Sequence, residues 1–143
     1  MTDYGPDRLT APLTQGVDHV GLTVRDLNQS VDFFVNCLGW EMIGEKPNYP
    51  AVFVSDSHTK ITLWQVRDAD DCVYFDRRNN IGLHHLALKV DSLATLQRLH
   101  ERIAGWVGAM IEFSPEPSGG SQKIHMMITE PGGNRIEFVW DPR

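Results

Sequence analysis

The sequence lacks the features that mark a disulfide scaffold, a membrane protein or a nucleic-acid binder. Its two cysteines, Cys37 and Cys72, are too few for a framework of bridges, and their spacing fits no thiolate zinc site. No run approaches the ~20 apolar residues that cross a bilayer. The first thirty residues include Asp3, Pro6, Arg8 and Pro12 and contain no leader-like apolar stretch. Basic residues are the minority, 13 against 19 acidic for a formal net charge of -6, so no basic face for nucleic acid or an anionic membrane is expected. Gly-rich phosphate loops, Ser-His-Asp arrangements and Cys nucleophile motifs are also missing. The expectation is a small cytoplasmic protein whose ligand is a small molecule, a metal or a cation. A chain of 143 residues buries roughly two-thirds of its unfolded surface without staples.

What is present is a duplication. His19-Val20-Gly21-Leu22-Thr23-Val24-Arg25-Asp26-Leu27 aligns with His85-Leu86-Ala87-Leu88-Lys89-Val90-Asp91-Ser92-Leu93, and Ile61–Trp64 resembles Ile136–Val139 at the unit ends. Each unit opens on period-2 alternation (Val20, Leu22, Val24; Leu86, Leu88, Val90), the pattern of a strand with one buried face. A helix follows: Asp26 or Asn28 can cap one carrying Val31, Phe34, Val35 and Leu38, with Gly39 as its left-handed stop. Asp91 or Ser92 can cap the other, which carries Leu93, Leu96, Leu99 and Ile103 and ends at Gly105. Three short β-type runs complete each unit, at 41–43, 51–55 and 60–66, then at 110–113, 124–129 and 135–140. The expected fold is α+β: two paired βαβββ modules forming a cupped mixed sheet with helices on the outer face. The expected boundaries are a flexible N-terminal arm at 1–15, a first module at 16–70, a linker at 71–80 and a second module at 81–143. The acidic run Asp68-Ala69-Asp70-Asp71 reads as solvated chain between modules, and Pro115–Ser121 reads as a mobile loop.

Strand parity then picks out a constellation. His19 lies opposite the apolar face of its strand, His85 opposite that of its own, and Glu137 opposite Ile136, Phe138 and Trp140. Two imidazoles at equivalent points of a repeat plus one carboxylate form the ligand set suited to Fe(II), Mn(II), Ni(II) or Zn(II). His84 could compete with His85, but only His85 matches His19 in the repeat. His125 and Met127 share the face of Glu137, and His125 is the candidate general acid/base. Thr62, Trp64, Val52 and Tyr49 are the candidate substrate-binding residues.

These residues resemble the vicinal-oxygen-chelate superfamily, which includes glyoxalase I, bleomycin-resistance proteins, fosfomycin-resistance transferases and extradiol dioxygenases. The resemblance runs from about residue 16 to 141. It is carried by Val17–Leu27, Phe33-Phe34, Leu38-Gly39-Trp40, Gly82–Val90 and Glu130–Phe138. It implies a divalent metal on His19, His85 and Glu137 that chelates two oxygens of a small substrate, in a protein that is commonly a homodimer. The implied activities are lyase, isomerase or Fe(II) dioxygenase chemistry; the alternative is a metal-free drug-binding protein of the bleomycin-resistance kind. One departure stands out. Glyoxalase I usually places a fourth ligand, Glu or Gln, where this chain has Thr62, while Gln65 has the opposite parity, so three-ligand relatives fit the count better.

Overall fold

The computed structural model describes residues 7–143; of the expected N-terminal arm, residues 1–6 lie outside the described part. Two βαβββ units follow one another. The first comprises β1 (Val20–Val24), α1 (Leu27–Asp32), β2 (Glu41–Lys46), β3 (Ala51–Ser55) and β4 (Lys60–Gln65). The second comprises β5 (Leu86–Val90), α2 (Leu93–Ala104), β6 (Met110–Pro117), β7 (Ile124–Thr129) and β8 (Arg135–Trp140). Each unit forms a four-stranded mixed sheet, ordered β1-β4-β3-β2 and β5-β8-β7-β6, and neither sheet closes on itself. The opening strand runs parallel to the last strand of its unit, and the other pairings are antiparallel. Among the described residues no helix is long and apolar enough to cross a membrane.

The helices begin where the sequence offers an oxygen to bare N–H groups. Asp26 accepts from Gln29 N at 3.1 Å, and Ser92 accepts from Thr95 N at 3.1 Å, so of the two candidates at each start the structure uses Asp26 and Ser92. Gly39 takes the left-handed conformation, with φ of 82°, just past the first helix. That helix is not α-helical to its end. It widens into a π-turn over Phe33–Cys37, where Leu38 N bonds to Phe33 O. The wider turn lets Phe33 and Phe34, adjacent in sequence, both bury completely, whereas Val31, Val35 and Leu38 only flank the core. In α2, Leu96 and Ile103 are fully buried and Leu93 remains about a third exposed.

One apolar core serves both units: Leu22, Val24, Phe34, Val54 and Leu63 of the first join Leu96, Ile103, Met126, Ile136 and Phe138 of the second. Further bonds tie the units, with the Arg102 guanidinium donating to the carbonyls of Asn36 and Cys37, Arg25 N to Gly132 O, and the Asn134 amide to Thr23 O. The helix-covered face of each sheet therefore turns toward the shared core. The opposite faces, here called the trough faces, lie outside it. The chain between β4 and β5 has neither strand nor helix, and it exposes Val73, Tyr74, Ile81 and Leu83.

Candidate metal centre

The register of the second sheet assembles one half of a site. On its trough face, Ala87 of β5, Glu137 of β8, Met127 of β7 and Phe113 of β6 form a row across the strands. Lys89, Val139, His125 and Glu116 form the next row. His85, one residue before β5, points the same way. Its Nε2 stands 3.7 Å from Glu137 Oε1, and His125 Nδ1 is 2.5 Å from Glu137 Oε2. One carboxylate thus lies between two imidazoles. With Nδ1 committed to Glu137, a neutral His125 ring presents its Nε2 lone pair, the form a general base needs. The Glu137 and His125 side chains are mostly covered, at 15% and 17% exposure, while His85 at 36% faces the open trough. Donors of this kind, half-open and preset by a neighbouring hydrogen bond, suit a divalent ion.

His84 stands directly behind this pair: its Nδ1 lies 2.8 Å from His85 Nδ1, and the two rings meet edge-on with centroids 5.1 Å apart. Arg135, at the start of β8, places Nη1 2.9 Å from the His84 carbonyl and 3.2 Å from His84 Nδ1. Its Nε and Nη2 fork onto Glu112 of β6 at 3.0 and 2.8 Å. The fork holds the Glu112 carboxyl below its usual range, and Arg77 adds to the effect. Partial desolvation first, then the Arg135 charge, hold the His84 pKa down. Neither Arg135 nor Glu112 stands out in the sequence, because their meeting depends on how β6, β7 and β8 align.

The first sheet carries the other half. Gly21, Thr62, Phe53 and Gly44 form one row on its trough face, and Thr23, Trp64, Ala51 and Lys46 the next. The Thr62 hydroxyl accepts from Trp64 Nε1 at 2.8 Å, and Tyr49, in the β2–β3 turn, sets its ring edge-on to Trp64 with centroids 4.5 Å apart. Val52 is not on this face. It pairs with Leu63 and lies in the core, and Phe53 takes the place on the trough expected of it. The run Ala51-Val52-Phe53-Val54 is apolar throughout and hides its parity. Gln65 turns to the other side, accepting from Leu27 N and donating to Arg25 O.

His19 sits one residue before β1, about half exposed, with Nδ1 2.7 Å from Asp18 Oδ2. That bond, ahead of the Lys60 charge, holds the Asp18 carboxyl below its usual range. Within one chain the structure brings His85 to Glu137 but does not bring His19 to them, and among the described residues no three His, Cys, Asp or Glu side chains form a group able to hold a metal. A cavity of about 350 Å³ does open beside β1, lined by Thr23, Tyr74, Phe75 and Arg135, but it contains none of His19, His85 and Glu137.

Residues 16–138 match the family model described as the Glyoxalase/Bleomycin resistance protein/Dioxygenase superfamily. No curated protein matches the sequence. Several solved structures share the fold. A glyoxylase/bleomycin resistance protein/dioxygenase domain from Frankia sp. EAN1pec is 24% identical with a TM-score of 0.72, over 91% of this chain and 94% of that one. A lactoylglutathione lyase from Agrobacterium tumefaciens is 18% identical with a TM-score of 0.66, over 90% and 96%. A mutant of the fosfomycin resistance protein FosX from Listeria monocytogenes, complexed with Mn(II) and 1S,2S-dihydroxypropylphosphonic acid, is 18% identical with a TM-score of 0.66, over 88% and 90%.

Proposed function

Since the chain belongs to the glyoxalase/bleomycin resistance protein/dioxygenase superfamily, we propose that it is a divalent-metal enzyme acting on a small substrate with two vicinal oxygens, and that two copies build each site. His85 and Glu137 of one copy and His19 of the other hold the ion, which is Fe, Mn, Ni or Zn by donor type. The observation that carries this reading is the His85–Glu137 pair, 3.7 Å apart on an open trough face with the second carboxylate oxygen already held by His125. The half-exposed position of His19 outside the shared core supports the two-copy arrangement.

When bound, the ion supplies Lewis acidity toward the two substrate oxygens. The chain's own residues do the rest. His125 fixes the carboxylate through Nδ1 and takes or returns a proton at Nε2. Met127 and Phe113, beside Glu137 and His125, exclude water from that side. Thr62, where glyoxalase I usually has a fourth ligand, binds Trp64 instead, which favours a three-donor centre.

Chelator-treated protein should take up about one Zn(II) or Mn(II) per chain and gain stability on doing so. Uptake below about 0.1 ion per chain with no stabilisation would contradict the reading and favour a metal-free binding protein. Oxygen consumption with catechols, against isomerisation of a hemithioacetal, separates dioxygenase from lyase or isomerase activity.

A further inference from the structure

The two trough faces come from one duplicated unit, yet they have diverged in kind. In the second module the two central rows carry Glu137, His125, Lys89 and Glu116, groups that hold charge or move protons. In the first module the matching rows carry Phe53 and Trp64, with glycine at both sheet edges of one row. Gly44 makes room for the Phe53 ring, and Gly21 for the Thr62 hydroxyl that holds the indole. A Cβ on Gly21 would lie 3.2 Å from Thr62 Oγ1 and 3.5 Å from Trp64 Nε1, and one on Gly44 would lie 3.0 Å from Phe53 Cδ2. Thr62 pins the indole by its N–H, Tyr49 stands edge-on to it, and the Phe53 ring lies 6.4 Å from it. Lys46, in the row of Trp64, brings its ammonium 5.7 Å from the Trp64 ring centre.

We propose that this face is the recognition half of the site, a shelf for a planar aromatic ring bearing an anionic substituent. Trp64, Phe53 and Tyr49 meet the ring, and Lys46 meets the charge. Aromatic faces and edges reward a flat π-system over a saturated ring of equal area, because stacked and edge-on contacts align the quadrupoles. The exposed Lys46 ammonium beside the Trp64 ring selects the sign of the substituent. Position joins the shelf to the chemistry: His19 precedes Gly21, the partner of Thr62, by two residues, roughly 7 Å along the strand, and the Trp64 indole leans back onto Thr62, so the shelf begins one row from an ion on His19. In its placement next to the ion this inference rests on the function proposed above; the shelf itself does not.

The test is an NMR titration of the ¹⁵N-labelled full chain with benzoate and with cyclohexanecarboxylate, acids of equal charge and similar size. It is run on chelator-treated and on Zn(II)-supplemented protein. The readout is the Trp64 indole N–H signal, identified by its loss in Trp64→Phe. Benzoate should move that signal and bind about tenfold more tightly than the saturated acid. Lys46→Ala, a change at an exposed side chain, should weaken benzoate several-fold while leaving neutral benzyl alcohol unchanged. Equal affinities for the two acids, or a Trp64 signal that benzoate does not move, overturns the shelf. A signal that moves only on dilution also overturns it, assigning the face to contact between copies. Absence of Zn(II) uptake overturns the metal reading alone, since the chelator-treated titration still decides the shelf.

Discussion

At His84 and His85 two identical side chains, adjacent in sequence, take different places: His84 stands between Arg135 and His85, with its Nδ1 3.2 Å from the Arg135 guanidinium and 2.8 Å from His85 Nδ1. The guanidinium, braced on Glu112, anchors the His84 carbonyl and ring, so the chain enters β5 with His85 facing Glu137. His85→Ala should therefore lower Zn(II) affinity by roughly two orders of magnitude or more, while His84→Ala, which removes only the neighbour of His85 Nδ1, should lower it by about tenfold. Arg135→Ala, which touches no proposed ligand, should lower affinity roughly 10- to 100-fold by loosening His85, and Co(II) absorption should show the altered ligand geometry. Isothermal titration checks all three; a larger loss in His84→Ala than in His85→Ala contradicts the assignment. Parity alone was enough to place His125, Met127 and Glu137 on one face and His85 beside them. It failed at Val52, where unbroken apolarity conceals which side chains face the core. Arg135 was not legible because its partners lie 23 and 51 residues away.

At the scale of elements, the β7–β8 turn joins the modules. Glu130 is 1% exposed, and its carboxyl receives Gly132 N at 2.6 and 2.7 Å and the Ser30 hydroxyl of α1 at 3.1 and 3.2 Å. Burial pushes its pKa up to about 7 against those donors and Asn134. A carboxyl that is more basic folded than unfolded contributes stability below about 4.5 and loses it as pH rises through about 7. Glu130 should thus contribute roughly 2 kcal/mol less at pH 8 than at pH 5 in urea unfolding, and Glu130→Gln should remove that part of the slope. A slope unchanged in Glu130→Gln contradicts the assignment. Gly132→Ala should cost about 3 kcal/mol or more, because its Cβ would lie 2.3 Å from Glu130, 2.4 Å from Ser30 and 2.6 Å from Val24 side-chain atoms. The sequence Glu-Pro-Gly-Gly-Asn reads as a turn, but its grip on Ser30, 100 residues away, could not be read from it. Strand and helix positions were legible because alternation and caps are local. The π-turn was not, since it arises from packing two adjacent phenylalanines into one core.

For the whole molecule, duplication explains both the order and the asymmetry of the structure. Two copies of one unit share a single core through their helix-covered sides, which leaves each trough face outward. The repeat was visible in the sequence as paired His-led strands. How the halves meet was not, because neither composition nor periodicity records which surfaces of a duplicated unit adjoin. The central claim is that a metal site spans two copies, and a mixing experiment tests it most directly. His19→Ala and His85→Ala chains are prepared separately, each expected to bind almost no Zn(II), then unfolded, combined in equal amounts and refolded together. If His19 of one copy meets His85 and Glu137 of the other, the mixed dimer regains one intact site, and about a quarter of the wild-type tight binding returns. If each site lies within a single chain, every chain in the mixture carries a damaged site, no tight binding returns, and the two-copy account is wrong.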